Sequence, residues 1–80
     1  MPWVDVTWDY GPGGNVEHMA GHGLDPEEVR AVLEEPARRM TSRASGLPMV
    51  MGYTPSGKFI AVVYEQIDEF TVKPVTAYEI

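Results

Sequence analysis

The sequence predicts a small α+β domain in which two short helices lie on one face of an antiparallel sheet. The apolar residues repeat with period two near the N-terminus, with helical period from residue 15, and with period two again beyond Pro36. Glycine and proline fall between these segments, where the chain must turn. Because 80 residues suffice for one domain only, we interpret residues 1–80 as a single domain.

The first elements are a strand and a short helix. Residues 3–8, WVDVTW, alternate in the manner of a half-buried strand, and GPGG ends it. Asn15 is the expected N-cap of the helix that follows, since Val16, Met19 and Ala20 share one face. Gly23 is the expected left-handed residue at its C-terminal end.

The second helix has the clearest start signal. Asp25 is the expected N-cap, Pro26 suits the first helical position, and Glu28 stands three residues after the cap. Val29, Val32 and Leu33 form its apolar stripe. Pro36 prevents continuation, so we expect a helix of about ten residues.

The remainder predicts a meander of three or four antiparallel strands. The candidate strands are RRMTSR, PMVMGYT, KFIAVVYE and FTVKPVTAYE, which begin at residues 38, 48, 58 and 70. Ser45-Gly46 and the segment TPSGK supply turn residues between them. Met49, Val50 and Met51 make the second strand apolar on both faces. We therefore expect a second copy or a protein partner to cover one of those faces.

Composition narrows the functional classes. The chain has no cysteine and a net charge of −6, which argues against thiol chemistry and against nonspecific nucleic-acid binding. No apolar stretch approaches the roughly 20 residues that a bilayer requires, so we expect a cytoplasmic protein without a membrane partner. Residues 36–58 nevertheless contain four cations and no acid. They predict either a local basic patch or an edge strand kept soluble by arginines.

The segment NVEHMAGHGLDPEEV places His18 and His22 four residues apart, on the helix side opposite the apolar residues. A zinc protease helix would need glutamate where Met19 stands, and the sequence offers no third ligand. Two interpretations remain open. His22 either holds the joint between the helices, or one of the histidines takes part in catalysis.

From Trp8 to Glu79 the order and spacing of short motifs resemble the BrnT-like toxins, which belong to the RelE-type ribonuclease superfamily. The motifs are WD, NVEHMAGHGLDPEEV, an arginine-bearing strand, MVMGYTPSGKFIAVVYE and VKPVTAYE. The resemblance implies a growth-arresting mRNA endoribonuclease that needs no metal or cofactor and is neutralised by a cognate antitoxin. Gly21 stands where the family usually has a basic residue, and Tyr78 where it has arginine.

Metal-independent RNA cleavage needs a base, an acid and a cation for the developing phosphorane charge. The candidate catalytic residues are His22, Arg39, Arg43, Lys58 and Tyr78, and we expect the four cations of residues 36–58 to lie close together. Arg39 and Arg43 should share one face of their strand. We expect a toxin-like protein whose site is weakened by Tyr78, with antitoxin, mRNA and further copies of the chain as partners. The alternative is a noncatalytic protein-interaction module.

Overall fold

A computed structural model describes residues 5–80, and these form an α+β domain with a mixed sheet. The helices are α1, Asn15–Ala20, and α2, Pro26–Glu34; the strands are β1, Asp5–Val6, β2, Arg38–Thr41, β3, Pro48–Tyr53, β4, Phe59–Gln66, and β5, Thr71–Glu79. The five strands lie in the order β1-β5-β4-β3-β2. The α+β class and the four-stranded meander are confirmed. Trp3, in the predicted first strand, lies outside the described residues.

The first strand joins the sheet in a way that the local pattern did not predict. Asp5 and Val6 pair in parallel with Thr71 and Val72 of the last strand, whereas all other neighbouring strands are antiparallel. Asp5 is exposed and Val6 is buried, as the alternation predicts. The first and last strands of the described residues therefore lie side by side at one edge of the sheet.

Asn15 does not cap α1, so that prediction is wrong. The N-cap is Gly14, and Asn15 is the first helical residue. Its amide is turned into the protein instead: Asp9 N donates to Asn15 Oδ1 at 2.8 Å, and Asn15 Nδ2 donates to the carbonyls of Thr7 at 3.0 Å and Pro74 at 2.9 Å. Because β1 ends at Val6, this one side chain continues the link between the N-terminal segment and β5.

The turn after α1 has the geometry that Gly23 predicts. Gly23 has a φ of 79°, and its N–H donates to Ala20 O while Leu24 N donates to Met19 O. This pair of bonds is the Schellman pattern, in which a left-handed residue satisfies the last carbonyls of a helix. Leu24 and Met19 are both buried, and their burial fixes the direction in which the chain enters α2.

The start of α2 confirms the predicted capping box. Glu28 N donates to Asp25 Oδ1 at 2.9 Å, and Asp25 N donates to Glu28 Oε1 at 3.4 Å. Pro26 occupies the first helical position, and the helix ends at Glu34. Its apolar stripe, Val29, Val32 and Leu33, is buried.

The core lies between the helices and one face of the sheet. Val50, Val62 and Ala77 are register partners across β3, β4 and β5, so they point to the same face. They pack in one cluster with the buried residues of α1 and α2. Gly52 lies on this face too, since a Cβ there would stand 3.3 Å from Val32 Cγ1.

No helix of residues 5–80 is long and apolar enough to cross a membrane.

Candidate functional site

The opposite face of the sheet carries no helix. Cross-strand pairing assembles it in rows: Arg38 with Met51, Ala61 and Tyr78, Met40 with Met49, Val63 and Thr76, and Tyr53 with Phe59. We call the apolar members of these rows the open face: Met40, Met49, Met51, Tyr53, Phe59, Ala61, Val63 and Tyr78. Large apolar side chains therefore occupy the side of the sheet that the protein's own helices leave uncovered.

Exposure on the open face increases from its centre toward its rim. Ala61 and Val63 in the centre are buried by their neighbours, Met49 and Met51 are half-buried, and Tyr53 at the rim is 68% exposed. The sequence predicted that the strand containing Met49 and Met51 is apolar on both faces, and this is confirmed. An exposed apolar sheet face of this kind marks an interaction surface.

Tyr78 belongs to the open face. It lies in the same row as Met51 and Ala61, and its hydroxyl contacts Met49 Sδ at 3.9 Å. Arg39 pairs with Val50, which faces the helices. Tyr78 and Arg39 thus extend from opposite faces of the sheet, and the two candidate catalytic residues do not converge.

The candidate arginines occupy the edge of the sheet. β2 ends at Thr41, so Arg43 lies in the following turn and not on the strand. The prediction that Arg39 and Arg43 share a strand face is therefore wrong, because the chain leaves the sheet after Thr41. Arg38, Arg39 and Arg43 are exposed.

Lys58 is held at the helix joint. Its Nζ donates to Gly23 O at 3.1 Å and lies 3.5 Å from Glu28 Oε2. Ser56 Oγ donates to the same carboxylate oxygen at 3.0 Å. The β3–β4 turn is in this way tied to the start of α2, and the Lys58 ammonium is already partly neutralised.

The expected single cluster of four cations does not form. Thr41, two residues before Arg43, pairs with Pro48 at the beginning of β3, while Lys58 follows the other end of that strand, where Tyr53 pairs with Phe59. At about 3.3 Å per residue, a strand of six residues separates these positions by about 20 Å. One phosphate cannot contact both Arg43 and Lys58.

His22 lies in the turn between the helices. Its backbone N–H donates to Met19 O at 2.9 Å, and its exposed ring meets His18 edge-on with centroids 5.2 Å apart. His18 Nε2 is also 2.9 Å from Thr76 Oγ1 on β5. Of the two histidines, His18 is therefore the one directed toward the sheet. Within residues 5–80, no group of three or more His, Cys, Asp or Glu residues is arranged to hold a metal ion.

An open cleft of about 430 Å³ lies where α1 meets β5. It is lined by chemically active side chains, namely Asp9, His18, Glu65, Lys73 and Thr76. Glu65 and Lys73 are directly opposed across β4 and β5. A cation, a histidine and two carboxylates thus share one concave surface.

Sequence reasoning missed this cleft. Among its residues, the sequence drew attention to His18 and, as a helix cap, to Asn15, whereas Glu65 looks like an ordinary exposed position of a strand. The parallel pairing of β1 with β5 and the position of Asn15 bring Asp9 next to them, and neither leaves a local signal. The β4–β5 hairpin places Glu65 opposite Lys73, and this charged pair was the indication of the cleft that the sequence offered.

Comparison with protein-family models, with curated proteins and with solved structures yields no match. The sheet order, the open face and the cleft are therefore the basis for assigning a function.

Proposed function

We propose that this chain is the toxin-like component of a type II toxin–antitoxin pair, and that its main activity is to bind a partner protein. The open face carries the proposal. Met49, Met51 and Tyr78 give one sheet face an apolar surface that neither helix covers. The motif order from Trp8 to Glu79 adds the resemblance to BrnT-like toxins, for which an antitoxin is the expected partner.

The distribution of cations supports binding over efficient RNA cleavage. Lys58 is paired with Glu28, Arg43 lies about 20 Å away along β3, and the whole chain has a net charge of −6. A protein that neutralises several phosphates needs its cations together on one surface. The proposal therefore includes a weak or absent ribonuclease activity.

The test is binding to the product of the adjacent reading frame, measured by calorimetry with both proteins purified. Met51→Glu introduces a charge into the centre of the open face and should weaken binding by about 30-fold or more, as expected for a buried contact worth about 2 kcal/mol. Ala20→Glu is the matched control, since it adds the same charge at an exposed position of α1. Equal affinities for the two variants would contradict a binding role for the open face.

A second candidate function, metal-independent RNA cleavage, is favoured by one observation, the cleft. The His18 imidazole can accept or donate a proton, and Lys73 supplies a cation for the phosphate. If this candidate is correct, induced expression arrests growth, and both His18→Ala and Lys73→Ala relieve the arrest. Arg43→Ala, outside the cleft, should not. Growth arrest that is lost with Arg43→Ala but persists with Lys73→Ala would contradict this location.

A further inference from the structure

The two edges of the sheet differ in how far the rest of the chain covers them. At one edge, β5 is covered by β1 and then by α1, through the contacts of Asn15 with Pro74 O and of His18 with Thr76. At the other edge lies β2, and all four of its residues are exposed. β2 is therefore an outermost strand of the described sheet, and its outer hydrogen-bonding edge is open.

The register shows which backbone groups of β2 point outward. Ser42 N donates to Leu47 O at 2.8 Å, and these residues follow in the antiparallel register in which Thr41 pairs with Pro48. Because hydrogen-bonded and non-hydrogen-bonded pairs alternate, Met40 bonds inward to β3 while Arg39 and Thr41 direct their N–H and C=O groups away from it. An extended segment can pair with such an edge.

Positively charged side chains lie beside this edge on both faces of the sheet. Arg38 lies in the row of Met51 on the helix-free face, Arg39 lies on the helix face, and Arg43 follows in the turn. Within residues 5–80, the ion pairs closer than 4.0 Å involve Arg30 and Lys58 and none of these three arginines. The edge is thus basic on a chain whose net charge is −6.

A second copy of this chain does not suit the edge. Antiparallel pairing of β2 with itself would bring Arg38, Arg39 and Arg43 of both copies to one junction, and directly opposed like charges destabilise a strand pair. A partner strand with acidic residues would instead place negative charges beside these arginines. Its apolar residues would extend the row of Met40, and its acidic residues would lie beside Arg39.

We propose that the β2 edge binds an extended acidic segment of the partner protein as a sixth strand, with apolar and acidic residues in alternation. This inference rests on the proposed function and specifies the chemistry of the partner. The added strand continues the open face, so that one partner contacts both surfaces.

The test uses a synthetic peptide that alternates valine with glutamate, and a counterpart that alternates valine with lysine. Binding to the full chain is followed by NMR. We expect the glutamate peptide alone to bind and to slow the hydrogen exchange of the Arg39 and Thr41 amides.

Thr41→Pro, which removes one outward N–H, should weaken binding about tenfold, while Thr41→Val should not. Arg39→Gln should weaken it up to about fivefold and reduce its salt dependence.

Three results with the peptides would overturn the inference. The first is equal binding of both peptides, and the second is glutamate-peptide binding that Thr41→Pro leaves unchanged. The third is failure of the glutamate peptide to bind; aggregation of Arg39→Gln would then show that the arginines merely protect the edge. If the product of the adjacent reading frame binds and is sensitive to Met51→Glu but not to Thr41→Pro, the proposed function stands and the sixth strand does not.

Discussion

Asn15 is the residue whose replacement should reveal most about how the N-terminal segment is held. It is 8% exposed and makes three hydrogen bonds, one accepted from Asp9 N and two donated to Thr7 O and Pro74 O. At about 1 kcal/mol for each bond, Asn15→Ala should lower the free energy of unfolding by about 3 kcal/mol. For a domain of this length the total is about 4–12 kcal/mol, so the loss is a large fraction.

Asn15→Asp is the sharper variant. It keeps the acceptor for Asp9 N but places a carboxylate oxygen against the carbonyl oxygens of Thr7 and Pro74. Above neutral pH it should therefore be at least as destabilising as Asn15→Ala. The folded state favours the protonated form of the introduced carboxyl, which can donate to one carbonyl, so its pKa is raised. As the pH falls through this raised pKa, Asn15→Asp should become as stable as Asn15→Ala or more stable.

Urea denaturation followed by tryptophan fluorescence measures these changes, because Trp8 packs against the core. Glu27→Gln, at an exposed position of α2, is the control for a change of charge alone and should stay within about 0.5 kcal/mol of the parent. Unchanged stability of Asn15→Asp above neutral pH would show that the Asn15 amide does not donate to the carbonyls of Thr7 and Pro74.

Other consequences can be measured separately. Gly52→Ala should lower the free energy of unfolding by about 1–3 kcal/mol and the Tm by roughly 5–15 °C. The reason is that its Cβ would stand 3.3 Å from both Val32 Cγ1 and the Ala37 amide nitrogen. A Tm equal to the parent's would mean that α2 moves aside without loss of stability. Without a partner, the chain should self-associate at micromolar concentration through the open face, and Met51→Glu should give a monomer in sedimentation; a parent that sediments as a monomer contradicts this. The pKa of Asp68 lies below its ordinary value of 3.8, mainly because the Phe70 N–H donates to the carboxylate. Its contribution to the β4–β5 turn should be present above that ordinary value and disappear as the pH falls through the lowered one, which an NMR titration of the Asp68 carboxyl can follow.

The local chemistry of turns and caps could be predicted from the sequence. Asp25 and Glu28 form the capping box, and Gly23 and Gly57 have the positive φ that their turns require. Each of these signals acts over a few residues, so the residue types themselves contain the information. Alternation likewise predicted that Met49 and Met51 face away from Val50.

The nonlocal contacts could not be predicted in the same way. Asn15 looks like an N-cap because its type favours that position, but a carbonyl of β5, far along the chain, determines where its amide points. The separation of Arg43 from Lys58 follows from the hairpin register and from the end of β2 at Thr41. The cleft depends on the pairing of Asp5 with Thr71, for which the pattern of neither strand gives a sign.

The parallel pairing of β1 with β5 has a consequence for how the protein is made. β1 precedes the two helices and the other strands along the chain, and its partner strand follows them all. The hairpins of β2 to β5 connect neighbours in sequence and can form as they emerge from the ribosome, whereas β1 must wait until Thr71 and Val72 have been synthesised. Val6 and Trp8 consequently stay unprotected until β5 has emerged, and in the folded protein the same segment should be the first to detach under mild denaturant.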